Sequence, residues 1–85
     1  MTKYEIKLTR QARKDIQKLS PKLRQKLRIV LEEIIAENPY DGKPLIADLQ
    51  GNYSVRLTYK DRIVYSIDEE QKVVYIKRAR THYGD

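Results

Sequence analysis

The residues with the most chemical promise are Arg56, Arg62 and His82. Arg56 lies in the run Tyr53-Ser54-Val55-Arg56-Leu57-Thr58, and Arg62 opens the run Arg62-Ile63-Val64-Tyr65-Ser66-Ile67. Both alternate apolar with polar residues, the period of a half-buried strand. Joined by a turn near Lys60-Asp61, they become adjacent antiparallel strands with both guanidiniums on one exposed face. A guanidinium stays charged and offers a planar fork of donors to phosphate oxygens. Two surface arginines bridged to Asp61 or Glu69 would carry the same pattern, so the pair alone does not fix a site. His82 is the chain's single histidine, and imidazole is the side chain whose ordinary pKa suits it to move protons near neutrality. It follows the basic run Lys77, Arg78 and Arg80 and precedes Tyr83, in a tail too polar for a core. A lone histidine with an incidental or structural place is the competing reading. Ser54 and Thr58 have no base at triad spacing, so no hydrolase nucleophile is expected.

Composition bounds what can surround these groups. The chain has 85 residues, 18 Lys and Arg against 12 Asp and Glu, and a net charge of +6. That length suits one domain, spanning 1–85, whose catalytic groups sit on the outside of its only core. With no cysteine and one histidine, neither a disulfide framework nor a Cys- or His-rich metal site is expected, and no cofactor is implied. No apolar run approaches a membrane span, and the opening MTKYEIKL lacks the apolar segment of a signal peptide, so the expected compartment is the cytoplasm. The cations are clustered. Arg10, Arg13, Lys14, Lys18, Lys22, Arg24, Lys26 and Arg28 face only Asp15 among acids, and Lys77, Arg78 and Arg80 have none among them. Clustered cations draw phosphates, although a solvated helix face has the same composition.

The elements that must position these groups follow from periodicity. Tyr4-Glu5-Ile6-Lys7-Leu8 alternates as a strand. Thr9 then caps a helix carrying Ala12, Ile16 and Leu19 at helical spacing. Ser20-Pro21 starts a second helix, since proline in the first turn loses only an unpaired donor. Its stripe is Leu23, Leu27, Val30, Leu31, Ile34 and Ile35, and it should end near Asn38 ahead of Pro39. Residues 39–50, with Pro39, Gly42 and Pro44, read as loop. Three strands follow, the last being Lys72-Val73-Val74-Tyr75-Ile76-Lys77. The expected fold is α+β in the order β-α-α-β-β-β, a helical hairpin packed on one face of a small, largely antiparallel sheet. Tyr4, Tyr53, Tyr65 and Tyr75 are expected in the core.

Several of these stretches resemble one family. Lys43-Pro44-Leu45, then Leu49-Gln50-Gly51-Asn52-Tyr53-Ser54-Val55-Arg56, then Arg62-Ile63-Val64-Tyr65, is similar to the pattern "PL…L.G..S.R…..RLVY" of the RelE/ParE superfamily of bacterial toxins. The ending Arg80-Thr81-His82-Tyr83 resembles the "R-x-H-Y" terminus of its YoeB branch. The resemblance implies the toxin of a type II toxin–antitoxin pair. It further implies a metal-independent endoribonuclease, an mRNA interferase that enters the ribosomal A site, cleaves mRNA and inhibits translation. In such an enzyme the ribose 2′-hydroxyl attacks the adjacent phosphorus, and a 2′,3′-cyclic phosphate forms as the 5′-oxygen leaves. On that reading Arg56 and Arg62 hold the phosphate, His82 is the candidate general acid and Tyr83 stacks or orients a base. Lys43, Arg78 and Arg80 touch RNA. YoeB relatives carry a glutamate as presumed base where this chain has Lys43, which leaves the base open between Lys43 and His82.

The implied partners are a cognate antitoxin with an amphipathic helix, the ribosome and mRNA, with no membrane. A heterotetramer with the antitoxin is among the assemblies the resemblance allows, and the oligomeric state is left open. Two other functions share the pattern. One is a ParE-like inhibitor of DNA gyrase, a branch that generally lacks the His-Tyr ending. The other is a non-catalytic basic binding module.

Overall fold

The structure, a computed structural model, describes residues 3–45 and 50–81. Its elements are β1 (Glu5–Leu8), α1 (Arg10–Gln17), α2 (Pro21–Val30), β2 (Lys43–Pro44), β3 (Asn52–Arg56), β4 (Asp61–Asp68) and β5 (Val73–Thr81). The five strands form one sheet in the order β1-β5-β4-β3-β2. β1 runs parallel to β5, and every other pair is antiparallel. The helical hairpin covers one face, as the α+β pattern of the sequence requires. Its Ala12, Leu27, Val30 and Ile35 pack on Leu57, Ile63, Tyr65, Val74, Ile76 and Ala79. Alternation therefore sends Ser54, Arg56, Arg62 and Val64 to the opposite face.

The helix starts form as expected. The Thr9 hydroxyl accepts from the Ala12 amide at 3.1 Å and the Ser20 hydroxyl from the Leu23 amide at 3.2 Å, each satisfying a first-turn donor. α2 then continues as a π turn over Leu31–Ile35, where the Ala36 amide donates to the Leu31 carbonyl at 2.8 Å. A five-residue bond widens the turn and rotates the stripe that follows it. Ile35 and Ala36 are consequently buried, while Ile34, placed on the apolar stripe by periodicity, is 48% exposed.

Two other features depart from the sequence pattern. The segment read as loop contains a 3₁₀ turn over Pro39–Asp41 and the two-residue edge strand β2, too short to carry a period. Tyr75 pairs with Lys7 and Ser66 on the face away from the helices rather than in the core. Tyr65 is the largest fully buried side chain. Its hydroxyl donates to the Pro39 carbonyl at 2.7 Å, and burial above all pushes its pKa up to about 12. It stacks on Tyr53 with centroids 5.9 Å apart, Tyr53 meets Tyr40 edge-on at 5.8 Å, and Tyr40 meets Tyr4 at 6.5 Å. Glu69 closes this row, accepting from the Tyr4 and Tyr40 hydroxyls at 2.7 Å each and pairing with Lys72.

β5 is longer than its apolar centre suggests, paired with β4 on one edge as far as Thr81 and covered by α1 on the other. β1 stops at Leu8, opposite Ile76, which leaves the outer edge of β5 without a strand beyond that point. Asp15 takes over. Its Oδ2 accepts from the Ala79 amide at 3.1 Å and from Arg78 Nε at 2.9 Å, and its Oδ1 accepts from Arg78 Nη2 at 3.3 Å and Gln11 Nε2 at 3.1 Å. Asp15 is 5% exposed. Burial opposes its charge, yet the bonds from Arg78, the Ala79 amide and Gln11 together hold the carboxyl below its ordinary value.

Two predictions follow from this packing. Asp15→Ala strips a half-buried guanidinium and a ladder amide of their acceptor and should cost about 2–3 kcal/mol in urea unfolding. Because the folded pKa is depressed, the carboxylate's contribution is full above its ordinary value of ~4 and fades as pH falls through the folded value. Asp15→Asn should remove that part of the acid limb, and an unchanged limb would count against the pairing. Gly42 is constrained by space, since a Cβ there would lie 2.1 Å from Tyr65 Oη and 3.1 Å from the Ser54 carbonyl. Gly42→Ala should lower stability by about 1–3 kcal/mol. Adding Tyr65→Phe should recover part of that loss, and additive effects would refute the contact.

Candidate RNA-binding cleft

The outer face of the sheet carries a cleft of about 200 Å³ lined by Lys43, Ser54, Arg56 and Arg62. Register explains the convergence. Arg56 pairs with Arg62 across β3 and β4, and Arg62 pairs with Arg80 across β4 and β5. Two residues back along β3, in the next row on the same face, Lys43 pairs with Ser54 and Ser54 with Val64. Three of the cations singled out from the sequence thus surround one concavity, and a fourth, Arg80, is aligned with them through its backbone. His82 and Tyr83 lie outside the described residues, immediately after Thr81, where β5 ends.

The charges of the cleft are not spent on neighbours. Neither Arg56 nor Arg62 forms an ion pair among the described residues, whose pairs are Lys3–Glu37, Lys72–Glu69 and Arg78–Asp15. Glu69 and Asp61, the acids considered as bridges to the arginines, have other partners among the described residues. Glu69 is taken by Lys72, Tyr4 and Tyr40, and these partners, Lys72 first, hold its pKa down at about 2. Asp61 ties the β3–β4 turn, with its Oδ2 accepting from the Thr58 hydroxyl at 2.8 Å and its amide donating back to that hydroxyl at 3.0 Å. Like charges directly opposite one another on a sheet are destabilising. An arginine-on-arginine row without a carboxylate is therefore a local conflict of the kind functional surfaces retain.

Arg78 has a different place from the one its neighbours suggested. Nε and Nη2 are committed to Asp15 at the far edge of β5. The partner lies 63 residues away in the chain, which is why its role was invisible in sequence. Ser54, set aside there for want of a triad base, is the floor of the cleft and only 7% exposed. The cations of α1 and α2 are all exposed, on the helical side of the molecule. Among the described residues no three His, Cys, Asp or Glu side chains gather as a metal-ligand set.

A second concavity, about 380 Å³, runs between β1 and the hairpin. Ile6, Leu8, Ile16, Leu27 and Leu31 form its apolar floor, with Arg24, Arg28 and Glu32 at the rim. Among the described residues no helix is long and apolar enough to cross a membrane.

Chemically, the cleft offers donors and positive charge for one phosphate group. Comparison with known proteins agrees in family. Residues 6–83 match the model of the ParE toxin of type II toxin–antitoxin systems. The chain is 37% identical over 81 residues to Toxin RelG of Mycobacterium tuberculosis, covering 89% of this chain and 87% of that one. Its fold superposes with a TM-score of 0.87 and 32% identity on the toxin–antitoxin complex RelBE2 of the same organism, over 100% of this chain and 97% of the other. With the YoeB–YefM complex of Staphylococcus aureus the TM-score is 0.76 at 26% identity, over 94% and 98% of the two chains. With the family model spanning nearly the whole sequence and the RelG relative aligned over most of it, the chain belongs to the RelE/ParE superfamily of type II toxin–antitoxin toxins.

Proposed function

We propose that this toxin is a metal-independent endoribonuclease that cuts mRNA in the ribosomal A site and so inhibits translation in the cytoplasm. The observation that carries the reading is the cleft in which Lys43, Arg56 and Arg62 converge without carboxylate partners among the described residues. Transesterification needs charge on the phosphorane, a base for the 2′-hydroxyl and an acid for the leaving 5′-oxygen. Arg62 and Arg56 supply the first as permanently charged donors, and Arg80, aligned with Arg62, extends the row along the RNA backbone. His82 is assigned the leaving-group proton and Tyr83 the stacking of an unstacked base. Lys43 sits at the cleft, close enough in register to assist at the 2′-oxygen.

The partner is proposed to be an antitoxin, as in the RelBE2 and YoeB–YefM complexes. The apolar groove between β1 and the hairpin, with cations at its rim, suits an amphipathic helix carrying acids. The ParE family model favours a second reading, inhibition of DNA gyrase without RNA cleavage. The cleft supports the first over the second, because a gyrase inhibitor has no need of guanidiniums left without carboxylate partners among the described residues around one hollow.

Translating ribosomes incubated with the protein, followed by mapping of mRNA ends, distinguish the two. Cuts confined to codons should appear and vanish with His82→Ala, and Arg62→Ala should slow cleavage by about 10²–10³-fold, the scale of losing one charged donor at a developing oxyanion. Intact mRNA alongside blocked supercoiling would overturn the proposal. Affinity for single-stranded RNA should fall steeply with salt. Replacing Lys43, Arg56 or Arg62 by alanine should each reduce the log–log salt slope by about 0.7. A slope unmoved by all three would place the phosphates elsewhere.

A further inference from the structure

Ser54 is the part of the cleft that phosphate binding leaves unexplained. It is 7% exposed and forms the floor between Lys43 and the two arginines, yet its hydroxyl makes no hydrogen bond among the described residues. With the rest of the residue covered, the hydroxyl is left without a protein partner to compete for it. Here it opens into the concavity, where a ligand group would complete it.

The donor and acceptor inventory says which group. Ammonium and guanidinium side chains only donate. A phosphate diester only accepts, so Arg56, Arg62 and Lys43 in its ammonium form satisfy it, and in those charged forms none of them can accept a hydroxyl's proton. Of the residues lining the cleft, Ser54 is the one whose side chain can accept as well as donate. In ribonucleic acid the group beside the scissile phosphate that must place a proton is the ribose 2′-hydroxyl, which is also what separates RNA from DNA. Ser54 lies in the row paired with Lys43, adjacent to the Arg56–Arg62 row, so a sugar and its 3′-phosphate can be met by neighbouring rows of one strand pair.

We infer that Ser54 is the sugar-reading residue of the cleft, its Oγ accepting a hydrogen bond from the 2′-hydroxyl while the cations hold the 3′-phosphate. The inference rests on the proposed phosphate role of the cleft and adds a specificity determinant to it. Ser54 forms no bond to phosphorus and performs no covalent step. It fixes the rotation of the ribose and makes the cleft prefer RNA.

The test uses probes that cannot be cleaved, adenosine 3′-monophosphate and 2′-deoxyadenosine 3′-monophosphate, which differ only at the 2′ position. Titrated into the full chain and followed by NMR, the ribonucleotide should bind about three- to tenfold tighter, the scale of one neutral hydrogen bond. Ser54→Ala should bring that ratio to near one while leaving the deoxynucleotide affinity unchanged. Ser54→Thr should keep the preference and Ser54→Val, which has threonine's shape, should lose it, so that a packing effect shows itself. Equal weakening of both nucleotides in Ser54→Ala, or an undiminished ratio, overturns the inference. A wild-type ratio of one overturns it while leaving the phosphate site standing. Failure of wild type to bind either nucleotide or inorganic phosphate removes the phosphate site and the inference together.

Discussion

One carboxylate ties the helical hairpin to the far end of the last strand. Asp15, an isolated acid in a cationic hairpin, stands in for a missing strand along the outer edge of β5. A sheet edge left bare there would present unpaired ladder groups, which proteins usually cover or blunt. With the Ala79 amide and the Arg78 guanidinium both satisfied by Asp15, β5 stays extended to Thr81. That extension sets Arg80 beside Arg62 and delivers the chain, one residue later, to His82. The helices thus do more than bury aliphatic side chains. They also cover the outer edge of β5, whose other edge is paired with β4 as far as Thr81.

Much of this architecture was written in local pattern, and the misses have specific causes. Alternation located β3 and β4, and the short connection between them put Arg56 opposite Arg62 without further information. Thr9 and Ser20 announced the helix starts, because a capping hydroxyl acts within three residues. Arg78 was read as part of a basic cluster and assigned to RNA, and its pairing with Asp15 was not legible because that partner is remote in sequence and close only after folding. Ile34 was assigned to the core by a period that the π turn interrupts. Lys43 was recognised through family resemblance, but its strand was not, since two residues have no periodicity to read. Ser54 was weighed solely as a nucleophile, whereas burial, which only the fold supplies, is what makes its hydroxyl informative.

The two faces of the sheet are specialised in opposite ways. Toward the helices, Ile63, Tyr65, Ile76 and Ala79 are wholly buried. The tyrosine row from Tyr65 to Tyr4 ties the core to the β4–β5 turn through Glu69. The same Tyr65 hydroxyl pins the Pro39 turn just ahead of Gly42 and Lys43. The cleft's lysine is therefore placed from beneath, by the core, rather than by a mobile loop. On the outside, Arg56 and Arg62 form a cross-strand pair in which a cation faces a cation.

That cationic row has a consequence for how the fold behaves as a thermodynamic system. Assembling the sheet brings Arg56, Arg62 and Arg80 into alignment, whereas the denatured chain keeps them apart. Electrostatic self-repulsion is thus concentrated in the native state, and any polyanion that prefers the native arrangement shifts the folding equilibrium by mass action. Occupancy of the cleft and heat resistance become two readings of a single linkage. By that linkage the fold without a bound polyanion is the less stable form.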